Sequence, residues 1–294
     1  ILKRFTPVWN AKEQLNFALP FYNKIEEKLN ITIDKKFVIK KSFKSIEDQN
    51  NWFSALDKPK LVDYLDPKLD NQNYNGVIAD FSFGNVKEAG RIDTAKLLTS
   101  YRTYLELQNL IRFERFKYDE LNIEENTISY KNITASRIVF CEGYGVTKNP
   151  FFSYLPLNEA KGELLTIHAP ELNINFLLKS TLFILPLGDN LYKVGATFNW
   201  TDKTSEPSES GKEELVLKLK KVIDIPYTIV SQSAGIRPTV SGRRPLVGCH
   251  PEESKLIVLN GLGTRGVMIA PTVAKNLFNH IEVGTALDDE INID

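Results

Sequence analysis

The chain has 294 residues, 42% of them hydrophobic and 25% charged, the usual mix of a soluble globular protein with one large or two ordinary domains. Lys plus Arg equals Asp plus Glu at 37 each, so no global positive charge argues for a nucleic-acid partner. Two cysteines and three histidines offer neither a disulfide framework nor metal or haem spacing, no apolar run reaches the ~20 residues of a membrane helix, and no signal peptide is recognisable, so a reduced, cytoplasmic setting is expected.

The chain opens at Ile1 and its single methionine is Met268, so further sequence is expected ahead of Ile1. Trp9 to Asn30 reads as a helix, with Leu15, Ala18, Leu19, Tyr22, Ile25 and Leu29 at helical spacing, Asn10 as cap and Pro20 bending or dividing it. Lys35 to Ser45 is strand-like, Ser45 to Asn75 reads as loop and short helix, and Gly76 to Phe83 as a strand bounded by glycines. Gly90-Arg91-Ile92-Asp93 leads into an amphipathic helix whose apolar face includes Leu97, Leu98, Tyr101 and Leu105, with Asp93 as N-cap. Ile111 to Tyr118, Thr127 to Tyr130 and Arg137 to Cys141 read as the strands of a β-meander.

Further on, Glu163 to His168, Phe176 to Pro186 and Leu191 to Phe198 are strand-like, the last two joined by a hairpin turn at Gly188-Asp189-Asn190. A helix around Lys212 to Ile223, an extended Tyr227 to Pro238, a buried strand Lys255 to Asn260 and a helix Val267 to Ile281 follow, before an acidic tail, Asp288 to Asp294, that should fray. The order predicts an α/β domain interrupted by an antiparallel-sheet domain.

Gly261-Leu262-Gly263-Thr264-Arg265-Gly266 spells G-x-G-x-x-G after a strand and before a helix, the context a dinucleotide fingerprint needs. A further strand with an acidic residue should complete such a unit, and here a polar tail follows, which makes an NAD site a poor reading. The backbone logic survives: glycines admit close approach, and a helix N-terminus offers N–H groups to a phosphate or an electron-rich ring oxygen. A tight turn without a ligand is the alternative.

Arg237, between Gly235 and Pro238, suits bidentate capture of a carboxylate, with an ordinary salt bridge as the even alternative; Arg243 and Arg244 read as solvated or pairing within the fold. Val139 to Gly145 is a buried strand running into a glycine turn, and Cys141 within it reads as a buried structural thiol. His168 on a strand, His250 in a loop beside Cys249, and His280 at a helix C-terminus carry no evident catalytic role.

Together, Arg237-Pro238, Arg243 to Gly248, Asn260 to Gly266 and Ala270-Pro271 resemble the C-terminal signature of the D-amino-acid-oxidase-like FAD-dependent oxidoreductases, nearest to the glycine oxidases and the oxidase domain of the tRNA methylaminomethyluridine-forming enzyme. Gly90 to Asp93, Ile138 to Gly143, Leu157 to Gly162 and Gly195-Ala196-Thr197 extend the likeness through the chain in order. The resemblance implies an incomplete FAD-binding Rossmann-like domain (1–30, 85–150 and 231–294) interleaved with an antiparallel-sheet substrate domain (31–84 and 151–230). The family's opening strand, glycine turn and helix would lie ahead of Ile1, and Gly242 stands where the family has an Asp.

It further implies FAD as cofactor, with Gly143, Gly261, Leu262, Gly263, Thr264, Arg265, Gly266 and Val267 against it and Arg237 on the substrate carboxylate. The implied reaction oxidises the C–N bond of an amino acid or secondary amine by hydride transfer to flavin, which needs no strong base if the amine arrives unprotonated and so suits the scarce histidines. Oxidation of a 2-hydroxy acid, or a non-catalytic binding protein that has lost flavin, are the alternatives. Neither a nucleic acid nor a membrane is expected as partner, and the sequence is silent on oligomeric state.

Overall fold

A computed structural model describes residues 8–293, so the first seven residues of the expected flavin domain and Asp294 of the tail lie outside the described residues. In chain order the elements are α1 (Ala11–Leu29), β1 (Asp34–Ser42), α2 (Ile46–Leu56), β2 (Phe83–Ile92), α3 (Thr94–Leu107), β3 (Leu121–Ile123), β4 (Ile128–Tyr130), β5 (Ile133–Ala135), β6 (Ile138–Phe140), β7 (Leu157–His168), β8 (Leu177–Lys179), β9 (Phe183–Gly188), β10 (Leu191–Gly195), α4 (Glu209–Leu219), β11 (Thr228–Val240), β12 (Leu246–His250), β13 (Glu253–Asn260) and α5 (Gly266–Val283). The fold is mixed α/β and divides into two compact units. One holds Asp34–Asp93 and Lys161–Gly235; the other holds Asn10–Ile33, Thr94–Ala160 and the chain from Ile236 onward. The divisions fall at 33/34, 93/94, 160/161 and 235/236, three to ten residues after the expected positions 30, 84, 150 and 230.

The first unit is built on a seven-stranded sheet of order β11-β7-β10-β9-β8-β1-β2. Its β9–β10 hairpin turns through Asp189 (φ 51°) and Asn190 (φ 58°), the left-handed pair that matches the twist of the strands it joins. Leu165, Ile167, Leu178, Ile184 and Val194 from the strands meet Leu215 and Leu219 of α4 in one apolar core. The strand expected at Gly76–Phe83 begins only where that expectation ends. β2 pairs with β1 from Ser42↔Phe83 to Asp34↔Ile92, and its glycines are interior, not boundaries. A Cβ on Gly84 would lie 2.7 Å from the buried Trp52 ring of α2, so the strand can pass there only without a side chain.

A buried polar group ties the segment after β10 to this sheet. Glu163, 3% exposed, accepts from Ser208 Oγ (2.6 Å), Ser208 N (2.9 Å) and Gln232 Nε2 (2.7 Å), while Lys161 reaches Asp202 at 2.6 Å. Burial opposes ionisation of Glu163, yet the bonds from Ser208 and Gln232 and the charge of Lys161 outweigh it and hold its carboxyl below the usual range. Asp202 is brought down to about 2 by Lys161 and by the Thr204 hydroxyl and amide. Both pKa values fall on folding, so this stability is present above the ordinary carboxylate range and is lost as pH falls through the folded values. Thermal unfolding followed downward from neutral pH should therefore show a melting temperature that drops in the acid range, and Glu163→Gln should flatten that drop. An equally steep acid slope in the variant would take Glu163 out of the account.

The second unit contains a three-stranded sheet, β12-β13-β6, in which β13 and β6 are parallel, and a small meander of β3, β4 and β5. The meander is shifted from the expected strands: residues 111–117 form none, and Ile138–Phe140 leave it to join β13. Val258, Leu256 and Phe140 form its buried core with Ile128, Val146 and Phe152.

One helix expectation needs correction, at Asn10, and at Pro20 the helix is not divided. Asn10 is left-handed (φ 44°) and makes no side-chain cap bond. Pro20 lies inside one undivided helix, because the carbonyl of Asn16 that it leaves unpaired is on the exposed side, where water serves. α3 fully buries none of its residues: Leu97, Tyr104 and Leu105 are half-buried, with Lys28 of α1 4.4 Å from the Tyr104 ring, while Leu98 is 57% and Leu107 76% exposed. The tail is docked rather than frayed: Leu287 and Ile291 are buried, and Val247 N donates to Ile291 O (2.9 Å) while Ile293 N donates to Val247 O (3.0 Å). Its spacing of two apolar residues one helical turn apart supplies the anchors that its charge obscures.

Candidate functional site

The glycine loop lies wholly within the second unit. Buried strand β13 ends at Asn260, the chain turns through Gly261 (φ 71°) and Gly263 (φ 56°), makes a 3-10 turn over Gly263–Arg265 and enters α5. Glycine adopts these left-handed angles without the strain that most side chains would add. At Gly261 a second reason applies: a Cβ would stand 2.9 Å from Val240 and 3.2 Å from the Leu246 amide. Gly263 has only Thr239 within reach, at 3.7 Å, and Gly143 (φ 57°) has nothing within 4 Å. These two glycines therefore present bare backbone to open space.

Asn260, 2% exposed, joins the two turns. Its Nδ2 donates to Gly143 O (2.8 Å) and its Oδ1 accepts from Gly261 N (2.8 Å). Next to Gly143, Glu142 accepts from Tyr118 OH (2.5 Å) and Asn149 Nδ2 (2.8 Å). Burial, together with the Glu142 carboxylate, pushes the Tyr118 hydroxyl up to about 12, so it stays a donor at any ordinary pH. The Gly143 turn is thus fixed from both sides.

The N-terminus of α5 carries no side-chain cap and no acidic residue in its first turn, so its partial positive charge is not neutralised locally. Val267 O accepts from Tyr22 OH of α1 at 2.6 Å, which secures that turn. Arg265 stands in the 3-10 turn, where burial and the charge of Arg243 both lower its pKa. Arg237 lies on β11, half-buried, its pKa lowered by burial; a guanidinium nonetheless remains charged. Residues two apart on a strand share a face, so Arg237 is on the side of β11 that Thr239 turns toward Gly263. Gly242, at the strand's exit, has open space around it.

The structure thus brings Gly143, Gly261, Leu262, Gly263, Thr264, Arg265, Gly266 and Val267 into one unit with Arg237. Cys141 is exposed by area, not buried as expected, because strand β6 ends one residue before it; surrounding protein and the Glu142 charge still raise its thiol. His250 stands on β12 rather than in a loop. Arg244 pairs with Glu290 at 3.1 Å. Sequence reasoning missed Asn260, whose one signal was a polar residue closing a buried strand directly before glycine. Among the described residues no group of three or more His, Cys, Asp or Glu could hold a metal, and no helix is long and apolar enough to cross a membrane.

The fold is that of FAD-dependent oxidases. The structure superposes on glycine oxidase from Bacillus cereus with a TM-score of 0.76 at 15% identity, covering 94% of this chain and 80% of that one. Iminodiacetate oxidase from Chelativorans gives 0.73 at 15% identity, covering 98% and 85%. The chain belongs to the FAD dependent oxidoreductase (DAO) family, whose pattern matches residues 14–279. It is 28% identical over 147 residues to glycine oxidase of Bacillus subtilis, a stretch covering 48% of this chain and 39% of that enzyme. It is 26% identical over 157 residues to the tRNA 5-methylaminomethyl-2-thiouridine biosynthesis bifunctional protein MnmC of Idiomarina loihiensis, covering 49% and 25%. The alignments therefore span well under half the length of these relatives.

Proposed function

We propose that the protein is an FAD-dependent oxidoreductase that oxidises the C–N bond of an amino acid or secondary amine by hydride transfer to flavin. The observation that carries this reading is the bare backbone of Gly143 and Gly263, linked through Asn260, with Gly263 beside Thr239 of the strand that carries Arg237. Such a cradle suits a flat ring, and the uncapped start of α5 suits its electron-rich edge. Flavin, when bound, supplies the two-electron acceptor.

Each residue then has a physical task. Gly143 and the backbone from Gly261 to Val267 admit the ring to contact distance. Arg265 and the α5 N-terminus hold positive potential beside it. Arg237 takes the substrate carboxylate in a bidentate grip and so orients the α-carbon hydrogen. No residue would have to act as a strong base if the amine arrived unprotonated, since its nitrogen lone pair could supply the C=N bond of an imine that water would hydrolyse. In this reading the unit around the glycine loop holds flavin and the seven-stranded unit is the substrate domain. A cytoplasmic setting is part of the same reading.

The test is to add FAD to the purified protein and follow the flavin absorbance anaerobically with a panel of amino acids, secondary amines and 2-hydroxy acids. Bleaching by an amine or amino acid is expected. Bleaching by 2-hydroxy acids alone would replace the substrate class, and failure to retain flavin would replace the reading with a binding role.

A further inference from the structure

We propose that Cys249 and His280 form a nucleophile–base pair, and that Cys249 is a modification site for hydrogen peroxide. The two lie 31 positions apart in the chain, on β12 and in the last turn of α5, and meet with Sγ 4.0 Å from Nε2. The register of β12 against β13 shifts between Cys249 and His250, a bulge of the kind that re-aims side chains at a strand end. Cys249 is partly exposed and in no disulfide.

The tautomer of His280 follows from its other nitrogen. Nδ1 lies 2.9 Å from Thr285 O, and a backbone carbonyl only accepts, so Nδ1 carries the hydrogen. In the neutral ring Nε2 is then the bare nitrogen, and it is the one facing sulfur. The chain delivers Thr285 to that place through a helix-ending turn: Gly284 is left-handed (φ 74°), its amide donates to His280 O (3.1 Å), and Thr285 N donates to Asn279 O (3.3 Å). A nucleophile, a base within reach of it and a third group orienting the base are the components of an activated thiol.

The Cys249 thiol proton moves to His280 Nε2 while a sulfur electron pair attacks one peroxide oxygen. The O–O bond breaks, and the departing hydroxide takes the proton from His280 to leave as water. Sulfur is oxidised by two electrons to a sulfenic acid and the peroxide is reduced. Nothing in this step draws on the glycine loop, so it stands or falls apart from the proposed oxidase activity.

Cys141 is a control in the same chain, since it is exposed, has a carboxylate beside it and a thiol raised by its surroundings. Iodoacetamide labelling of the whole protein at neutral pH, read by peptide mass spectrometry, should modify Cys249 about tenfold or more faster than Cys141. His280→Gln should bring Cys249 down to the Cys141 rate and leave Cys141 unchanged. Hydrogen peroxide followed by dimedone should tag Cys249 in the wild type and not in the variant. Equal rates for the two cysteines in the wild type would overturn the proposal without recourse to a variant. So would a fast Cys249 in a His280→Gln protein whose circular dichroism is unchanged.

Discussion

Arg237→Ala is expected to weaken the binding of substrate-like carboxylates by about 2–5 kcal/mol, the usual loss when one partner of a desolvated, hydrogen-bonded charge pair is removed. That corresponds to a dissociation constant raised by roughly 30-fold or more. The size of the effect comes from burial. An exposed arginine would trade the carboxylate for water at little cost, whereas Arg237 is half-buried and its surroundings already disfavour its charge. Titrating the flavin-loaded protein with acetate or glycine and following the flavin spectrum gives the constant directly. Arg237→Lys should recover only part of the affinity, since an ammonium keeps the charge and loses the two-pronged geometry. Identical constants in wild type and Arg237→Ala for every carboxylate tried would remove Arg237 from the site.

Gly263→Val is expected to abolish flavin retention, and two separate penalties predict it. The residue is left-handed at φ 56°, which a β-branched side chain adopts at a cost on the order of 1–3 kcal/mol. Its side chain would also occupy the open face, where the nearest neighbour of a Cβ is Thr239 at 3.7 Å. The purified variant should be colourless after incubation with FAD, with a lowered melting temperature. Gly263→Ala separates the penalties, because a methyl adds strain but little bulk; it should keep some flavin. A Gly263→Val protein that folds and is normally yellow would contradict the role given to the loop.

The contrast between Gly261 and Gly84 shows where the sequence was legible. Gly261 follows a run of buried apolar residues and precedes a helical period, so its place in a strand-to-helix turn could be read. Gly84 looked like the end of a strand. It lies inside β2 because of Trp52, a residue on a helix far away in the chain, and no local pattern records that contact. Asn260 was missed for the same reason: its function is the link to Gly143, which exists only once β13 and β6 are side by side. α3 shows the converse, since its period was read correctly but period alone does not say what, if anything, lies against a face. The pairing of Cys249 with His280 again needed two elements to be brought together, and composition had suggested that the histidines were idle.

The docked tail has a consequence for how separate molecules treat one another. β12 is the outermost strand on its side of the three-stranded sheet. An uncovered outer strand offers its amides and carbonyls to any passing chain and invites self-association. At Val247 both groups are already taken, by Ile291 and Ile293 of the same molecule. Asp288, Asp289 and Glu290 are exposed on that covering segment, so a second copy approaching this side meets negative charge in place of a pairing template. A run of acidic residues that looks like surplus in the sequence thereby helps to keep the protein from joining to itself along that strand.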